Sequence, residues 1–249
     1  MHEAPSELIT FREGDENEEL VLPPFGVKDA CPGCRSVKYE PLEDLCENCR
    51  LNTYQLSGFR VAVEPITLYT KPSRLRDWLT FYKSEDERLE DREAVAAVAH
   101  ILGRFIGANT DWLEGLALDY LVVVPSTRRP PPHPLQIVAE TLELGLEVNP
   151  VVRRTPVPLG FRAASAEAYE TSGAVRGDRI LLLDDVYTSG ARAQSAAAAL
   201  DNAGAQVVSL AVLGRRINPS FRPRAAELFA EQQGRDFEWS ISRRHSFEH

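Results

Sequence analysis

The chain has 249 residues, 43% of them hydrophobic and 26% charged, enough for one medium domain with an ordinary packed core and a small appendage. Its net charge is −9, from 28 Lys and Arg against 37 Asp and Glu, which opposes general binding to a phosphate backbone while leaving room for a local basic patch. No apolar run is long enough to suggest a membrane-spanning helix.

The opening stretch MHEAPSELIT has no basic region followed by an apolar run, so no secretory signal is expected and the expected compartment is the cytoplasm. Residues 1–20 carry seven acids and one base, Arg12, a local charge of −6. Residues 1–26 are therefore expected to form an acidic, disordered segment.

All four cysteines follow within nineteen residues, as CPGC (Cys31, Cys34) and CENC (Cys46, Cys49). Two CxxC pairs are the spacing of a tetrahedral four-thiolate zinc site, each pair forming a knuckle that aims two sulfurs at one ion. Reduced thiols and disulfides are the alternatives; the absence of an odd cysteine and the reducing compartment favour metal. Such a Zn2+ would be structural, because four thiolates leave no open position. The segment 27–57 is expected to be this module, and its four bases and five acids do not make a phosphate-binding surface.

Residues 58–217 read as an α/β domain. FRVAVEPITLY (Phe59–Tyr69) has strand character, with Pro65 suited to an edge or a bulge. Leu75, Trp78, Leu79 and Tyr82 fall at helical spacing, and Val95, Val98, Ile101, Leu102 and Phe105 form a second helical face. His100 beside that face reads as a packed or surface histidine rather than a catalytic one. DYLVVVP (Asp119–Pro125), RILLLDD (Arg179–Asp185) and QVVSLAVL (Gln206–Leu213) are short apolar strands, with helices expected around Leu135–Leu144 and in the Ala-rich stretch ending near Gly204. Strands of this kind with helices between them indicate a parallel sheet flanked by helices, whose ligands sit at the carboxyl ends of the strands. Residues 218–249 form a C-terminal extension with a helix over Arg224–Gln233; FEWSI (Phe237–Ile241) is read as a final strand or as part of a mobile tail.

The segment ILLLDDVYTSGAR (Ile180–Arg192) carries the chemistry. Asp184 and Asp185 sit where the strand leaves the sheet, outside the expected core, and two carboxylates there can accept hydrogen bonds from the vicinal hydroxyls of a ribose. Thr188, Ser189 and Gly190 then lead into a helix whose N-terminus is a ready phosphate site. Gly190 would let the backbone approach the phosphate closely. An ordinary strand-to-helix turn, or a Mg2+ site at the paired aspartates, is the competing reading.

LLLDDVYTSGA resembles the phosphoribosyl pyrophosphate (PRPP) motif of type I phosphoribosyltransferases. The chain more widely, over most of residues 27–216, resembles the competence protein F family, an amidophosphoribosyltransferase-like group in which a four-cysteine zinc module precedes a phosphoribosyltransferase domain. The shared features are CPGC/CENC, LYTKPSRLRDWLTFYK, LVVVPSTRR and DDVYTSG.

The resemblance implies a type I phosphoribosyltransferase fold that binds PRPP, or a related ribose 5-phosphate ligand, with Mg2+. Asp184 and Asp185 would hold the ribose hydroxyls, and Thr188, Ser189, Gly190, Ala191 and Arg192 the 5′-phosphate. Ser126, Thr127 and Arg128 would face the pyrophosphate, with Arg153 and Arg154 as weaker candidates there and Arg162 at the family's arginine position. Arg192 stands where the family has Thr or Ser, and the usual glycine, glutamine and asparagine of the neighbouring loops are missing. The expected activity is phosphoribosyl transfer to a nitrogen acceptor. A silent PRPP- or nucleotide-binding regulator and an accessory factor in DNA uptake are the alternatives. An oligomer is compatible with the sequence, as is nucleic-acid binding despite the acidic charge.

Overall fold

A computed structural model of the chain describes residues 19–40, 43–84, 89–126 and 129–246. In chain order the elements are α1 (Glu47–Gln55), β1 (Val63–Tyr69), α2 (Arg74–Phe81), α3 (Leu89–Gly107), α4 (Thr110–Gly115), β2 (Tyr120–Val123), α5 (Pro134–Thr141), β3 (Val152–Arg154), β4 (Tyr169–Thr171), β5 (Arg179–Tyr187), α6 (Ala191–Asn202), β6 (Gln206–Arg216), α7 (Pro223–Gln233) and α8 (Ile241–His245). Four of the strands form one parallel sheet in the order β1-β6-β5-β2, and β3 and β4 pair separately as a small antiparallel hairpin.

The sheet is buried on both faces, as its continuous apolar strands require. Alternation along the strands sends Leu181, Leu183, Ala211 and Leu213 to one side, against Leu75 and Trp78 of α2, Val98 and Ile101 of α3 and Leu135 of α5. Ile180, Leu182, Leu210 and Val212 face the other side, against Ala193, Ala196, Ala197 and Leu200 of α6. The small alanines let α6 lie close over the sheet. This second core also contains all four cysteines, so the cysteine segment packs directly onto the α/β domain.

The outer edge of β1 would expose a row of unpaired backbone groups if it were left open. Two distant segments close it. Val21 forms an antiparallel bridge with Leu68, and its N–H donates to Thr67 Oγ1 at 2.8 Å. Arg244, fully buried, donates from Nη1 to the carbonyl of Pro65 at 2.9 Å and from Nη2 to that of Ile66 at 3.0 Å. Pro65, which lacks a donor, therefore sits on an edge as its chemistry demands.

Both terminal regions depart from expectation. Residues 1–18 lie outside the described residues, but the second part of the segment 1–26 is packed: Leu20, Val21, Leu22 and Phe25 are all buried. The local acidity ends at Glu19, and an apolar run follows at once, which the average over the segment concealed. FEWSI forms no strand; instead Trp239 and Ile241 are buried, with Asn109 Nδ2 donating to the Trp239 carbonyl at 2.9 Å and Asn109 Oδ1 accepting from Ile241 N–H at 2.6 Å. One buried asparagine thus satisfies backbone that a strand partner would otherwise satisfy.

Candidate ligand site

The carboxyl end of β5 lies at the middle of the parallel sheet. β5 runs to Tyr187, two residues past its expected end, so the paired aspartates belong to the strand itself. Contrary to the expectation of solvent-facing carboxylates, Asp184 is 4% exposed and Asp185 1%. Strand alternation turns them to opposite faces, and their surroundings differ accordingly.

Asp185 accepts a hydrogen bond from Tyr82 Oη at 2.6 Å and forms a close ion pair with Lys83 Nζ. His133 Nε2 stands 4.0 Å from the same carboxylate, while its Nδ1 accepts from Leu135 N–H and caps α5. Burial raises the pKa of Asp185, but Lys83 and His133 outweigh it and hold the group down at about 2. Asp184 is different. Burial dominates and pushes it up to about 7, against the opposing pull of Arg192, with the neighbouring Asp185 adding to the rise. One carboxylate is firmly ionised, and the other titrates near neutrality.

A cavity of about 500 Å3 opens in front of Asp184. Its wall includes Ser126, Asp184, Thr188, Ser189, Gly190, Ala191 and Arg192, so the structure gathers these expected residues around one space. Lys83, Arg129, Gly160 and Phe161 are also part of it. Among the described residues, Lys83, Arg129 and Arg192 face this space with Asp184, and although Lys83 is paired with Asp185 behind the wall, the excess of positive charge suits an anionic ligand. Asp185 stands behind this wall rather than in it. Thr127 and Arg128 lie outside the described residues. Arg153 pairs with Glu170 at 2.9 Å, Arg154 donates to the Val157 carbonyl at 3.0 Å, and Arg162 pairs with Glu47 at 3.4 Å; none of the three lines this cavity.

The loop between β5 and α6 is fixed from behind. Arg215, fully buried, donates from Nη1 to the carbonyls of Tyr187 at 2.9 Å and Thr188 at 2.8 Å. Asn52 Nδ2 donates to the Ser189 carbonyl at 2.9 Å, and Ser189 Oγ donates to the carbonyl of Phe161. In a trans peptide the N–H points opposite to the preceding C=O. With these three carbonyls drawn back, the N–H groups of Thr188, Ser189 and Gly190 turn toward the cavity, next to the N-terminus of α6. That is an anion-binding arrangement. Gly190 has φ +83°, and a Cβ there would meet Tyr187 Oη at 2.1 Å. Its need for glycine is therefore set by the protein itself, before any ligand is considered.

Four further residues stand at or behind this site beyond those the sequence points to: Lys83 and Arg129 in the wall, and Tyr82 and His133 around Asp185. Tyr82 belongs to the apolar helical face and Lys83 follows it, both at the end of the LYTKPSRLRDWLTFYK stretch. Arg129 closes the LVVVPSTRR stretch, whereas nothing local marks His133, which lies in a proline-rich loop.

The four cysteines are buried, and their sulfur atoms all lie within 4.8 Å of one another. Cys34 Sγ and Cys46 Sγ are 3.6 Å apart, too far for a disulfide and close to the edge of about 3.8 Å for a tetrahedron with Zn–S bonds of about 2.3 Å. Cys46 caps α1, whose N-terminus favours negative charge, and its N–H donates to Cys31 Sγ at 3.3 Å. Arg215 Nη2 donates to Cys34 Sγ at 3.4 Å. The donor set fits a soft or borderline divalent ion. Arg215 and Asn52 tie this cluster to the loop after β5.

No protein-family model matches the sequence, and no curated protein matches it. Among solved structures the chain is similar to UMP synthase of Leishmania donovani, with a TM-score of 0.36 and 16% identity, over 70% of this chain and 37% of that one.

Proposed function

We propose that the protein binds PRPP, or a related ribose 5-phosphate ligand, in the cavity at the end of β5 and transfers the phosphoribosyl group to a nitrogen acceptor. The observation that carries this reading is the gathering around one cavity of Asp184, Lys83, Arg129, Arg192 and the loop from Thr188 to Ala191, whose carbonyls at Thr188 and Ser189 are drawn back by Arg215 and Asn52. In this reading Asp184 accepts hydrogen bonds from the ribose hydroxyls. The N–H groups of Thr188, Ser189 and Gly190, the start of α6 at Ala191 and the guanidinium of Arg192 hold the 5′-phosphate. Ser126 and Arg129 stand on the pyrophosphate side, where the resemblance also puts Thr127 and Arg128.

Transfer would break the bond from C1 to the pyrophosphate oxygen, whose electron pair leaves with the pyrophosphate. A C1–N bond forms, and the acceptor nitrogen loses a proton. The sugar passes through a state with positive charge near C1, which the carboxylate of Asp184 stabilises. Lys83 and Arg129 offset charge gathering on the leaving group. Mg2+, brought with the pyrophosphate, would supply further neutralisation there. Asp185 acts as a positioning residue that fixes Lys83. In the cysteine module, Cys31, Cys34, Cys46 and Cys49 would hold a structural Zn2+ that braces the phosphate loop through Arg215 and Asn52.

A binding protein without turnover is the second reading. It is favoured by Asp185, which is buried outside the cavity lining with its Oδ2 engaged by Lys83 and Tyr82. Incubation with PRPP, Mg2+ and a panel of amines and bases separates the two. Pyrophosphate release that depends on an acceptor supports transfer. A rise in melting temperature without release supports the binder, and no response at millimolar ligand rejects both.

A further inference from the structure

Two adjacent carboxylates at the end of a strand suit a vicinal diol, because each can accept from one hydroxyl. The fold keeps only one of them for the cavity. Asp185 Oδ2 accepts from Tyr82 Oη and pairs with Lys83. His133 Nδ1 accepts from Leu135 N–H, so the ring proton of the neutral imidazole sits on Nε2, which faces the same oxygen at 4.0 Å. Asp185 is 1% exposed and does not line the cavity. Among the described residues, Asp184 is the only carboxylate that does.

A single carboxylate can still hold both hydroxyls if each of its oxygens faces one of them. Asp184 is not placed to do so. Its Oδ1 accepts from the N–H of Asp185 at 2.9 Å, and at 4% exposure the side chain presents little more than its other oxygen to the cavity. Of the other polar side chains on the wall, Lys83, Arg129 and Arg192 have no acceptor atom, and Ser126 Oγ already accepts from Arg129 N–H at 3.1 Å. The carbonyls of Thr188 and Ser189 are drawn back to Arg215 and Asn52, and the hydroxyl proton of Ser189 goes to the Phe161 carbonyl. A site rejects a ligand lacking a hydroxyl when a buried partner is then left unpaired. Among the described residues, one hydroxyl of the pair finds such a partner in Asp184 and the other does not.

We propose that the site recognises one hydroxyl of the ribose pair, held by Asp184, so that its ligands include pentose 5-phosphates that lack the other. This narrows the part played by Asp184 and rests on the reading that the cavity binds a sugar phosphate. The shared chemistry is a 5-phosphorylated pentose with a single hydroxyl at position 2 or position 3, which is the 3-deoxy or the 2-deoxy sugar respectively.

Calorimetric titration of the full chain with ribose 5-phosphate, 2-deoxyribose 5-phosphate and 3-deoxyribose 5-phosphate tests it. One deoxy sugar is expected to bind within about threefold of ribose 5-phosphate, and the other to lose about tenfold or more, the size of one hydrogen bond to a charged acceptor. The sugar that loses affinity identifies the hydroxyl on Asp184. In Asp184→Asn that loss is expected to shrink, because a neutral amide oxygen is the weaker acceptor. A loss of about tenfold or more with both deoxy sugars, equal affinity for all three, or a loss undiminished in Asp184→Asn would each overturn this inference while leaving sugar-phosphate binding intact. No binding of ribose 5-phosphate at millimolar concentration would overturn the proposed function with it.

Discussion

At the scale of single residues, two adjacent carboxylates carry opposite electrostatic roles. The unfolded chain titrates both near pH 4. Asp184 is raised in the folded protein, so the stability it contributes is fully present below about pH 4 and lost as pH rises toward about 7. Asp185 is depressed, so its contribution is present above about pH 4 and lost as pH falls toward about 2. Asp184→Asn removes the first effect. Urea unfolding at pH 5 and pH 8 is expected to show the variant gaining on the wild type at the higher pH, and a difference that is constant with pH would contradict the assignment. Arg192 also bears on this pair, since the charge of Asp184 is the largest influence on it. Arg192→Thr is expected to weaken ribose 5-phosphate binding by about 1–3 kcal/mol, the size of a charge-assisted contact. Tighter binding in that variant would mean that the arginine obstructs the site.

At the scale of elements, function depends on contacts between segments far apart in the chain. The cysteine module reaches the loop after β5 through buried polar side chains, Asn52 from the module and Arg215 from β6. Metal content is expected to be about one zinc per chain, as for a closed four-thiolate site. Its removal by a strong chelator is expected to lower both the melting temperature and the affinity for ribose 5-phosphate, because the loop loses its rear support. A zinc content near zero before chelation would remove the metal from the module, and unchanged melting and binding after chelation would show that the metal does not brace the loop. The edge of β1 is closed in the same long-range way. Deleting residues 1–25 removes four buried apolar side chains, at about 1.5–3 kcal/mol each, together with the Val21 bridge. Thermal or urea unfolding is therefore expected to show a loss of several kcal/mol. An unchanged midpoint would mean that the segment does not contribute to the core.

At the scale of the whole molecule, the α/β architecture was legible because its strands are short continuous apolar runs and its helices carry clear apolar faces. The sequence also marked Asp184, the loop Thr188–Arg192 and the four cysteines, since each belongs to a local pattern whose chemistry depends on spacing. What stayed hidden depends on tertiary contact. Tyr82, Lys83 and Asp185 meet across 103 residues in the case of the tyrosine, and no local pattern encodes that meeting. Arg215 and Arg244 look in sequence like surface arginines, yet both are fully buried and bond to carbonyls of distant segments. The same long-range packing defines the cavity in front of Asp184, and the proposed function requires that this cavity bind a sugar phosphate. The most direct measurement is the titration of ribose 5-phosphate into the wild type and into Asp184→Asn, with both proteins shown to be folded. The account predicts saturable binding to the wild type and a loss of about tenfold or more in the variant, as removal of a charged hydrogen-bond acceptor implies. Equal affinity in the two proteins, or no binding to the wild type at millimolar ligand, would contradict it.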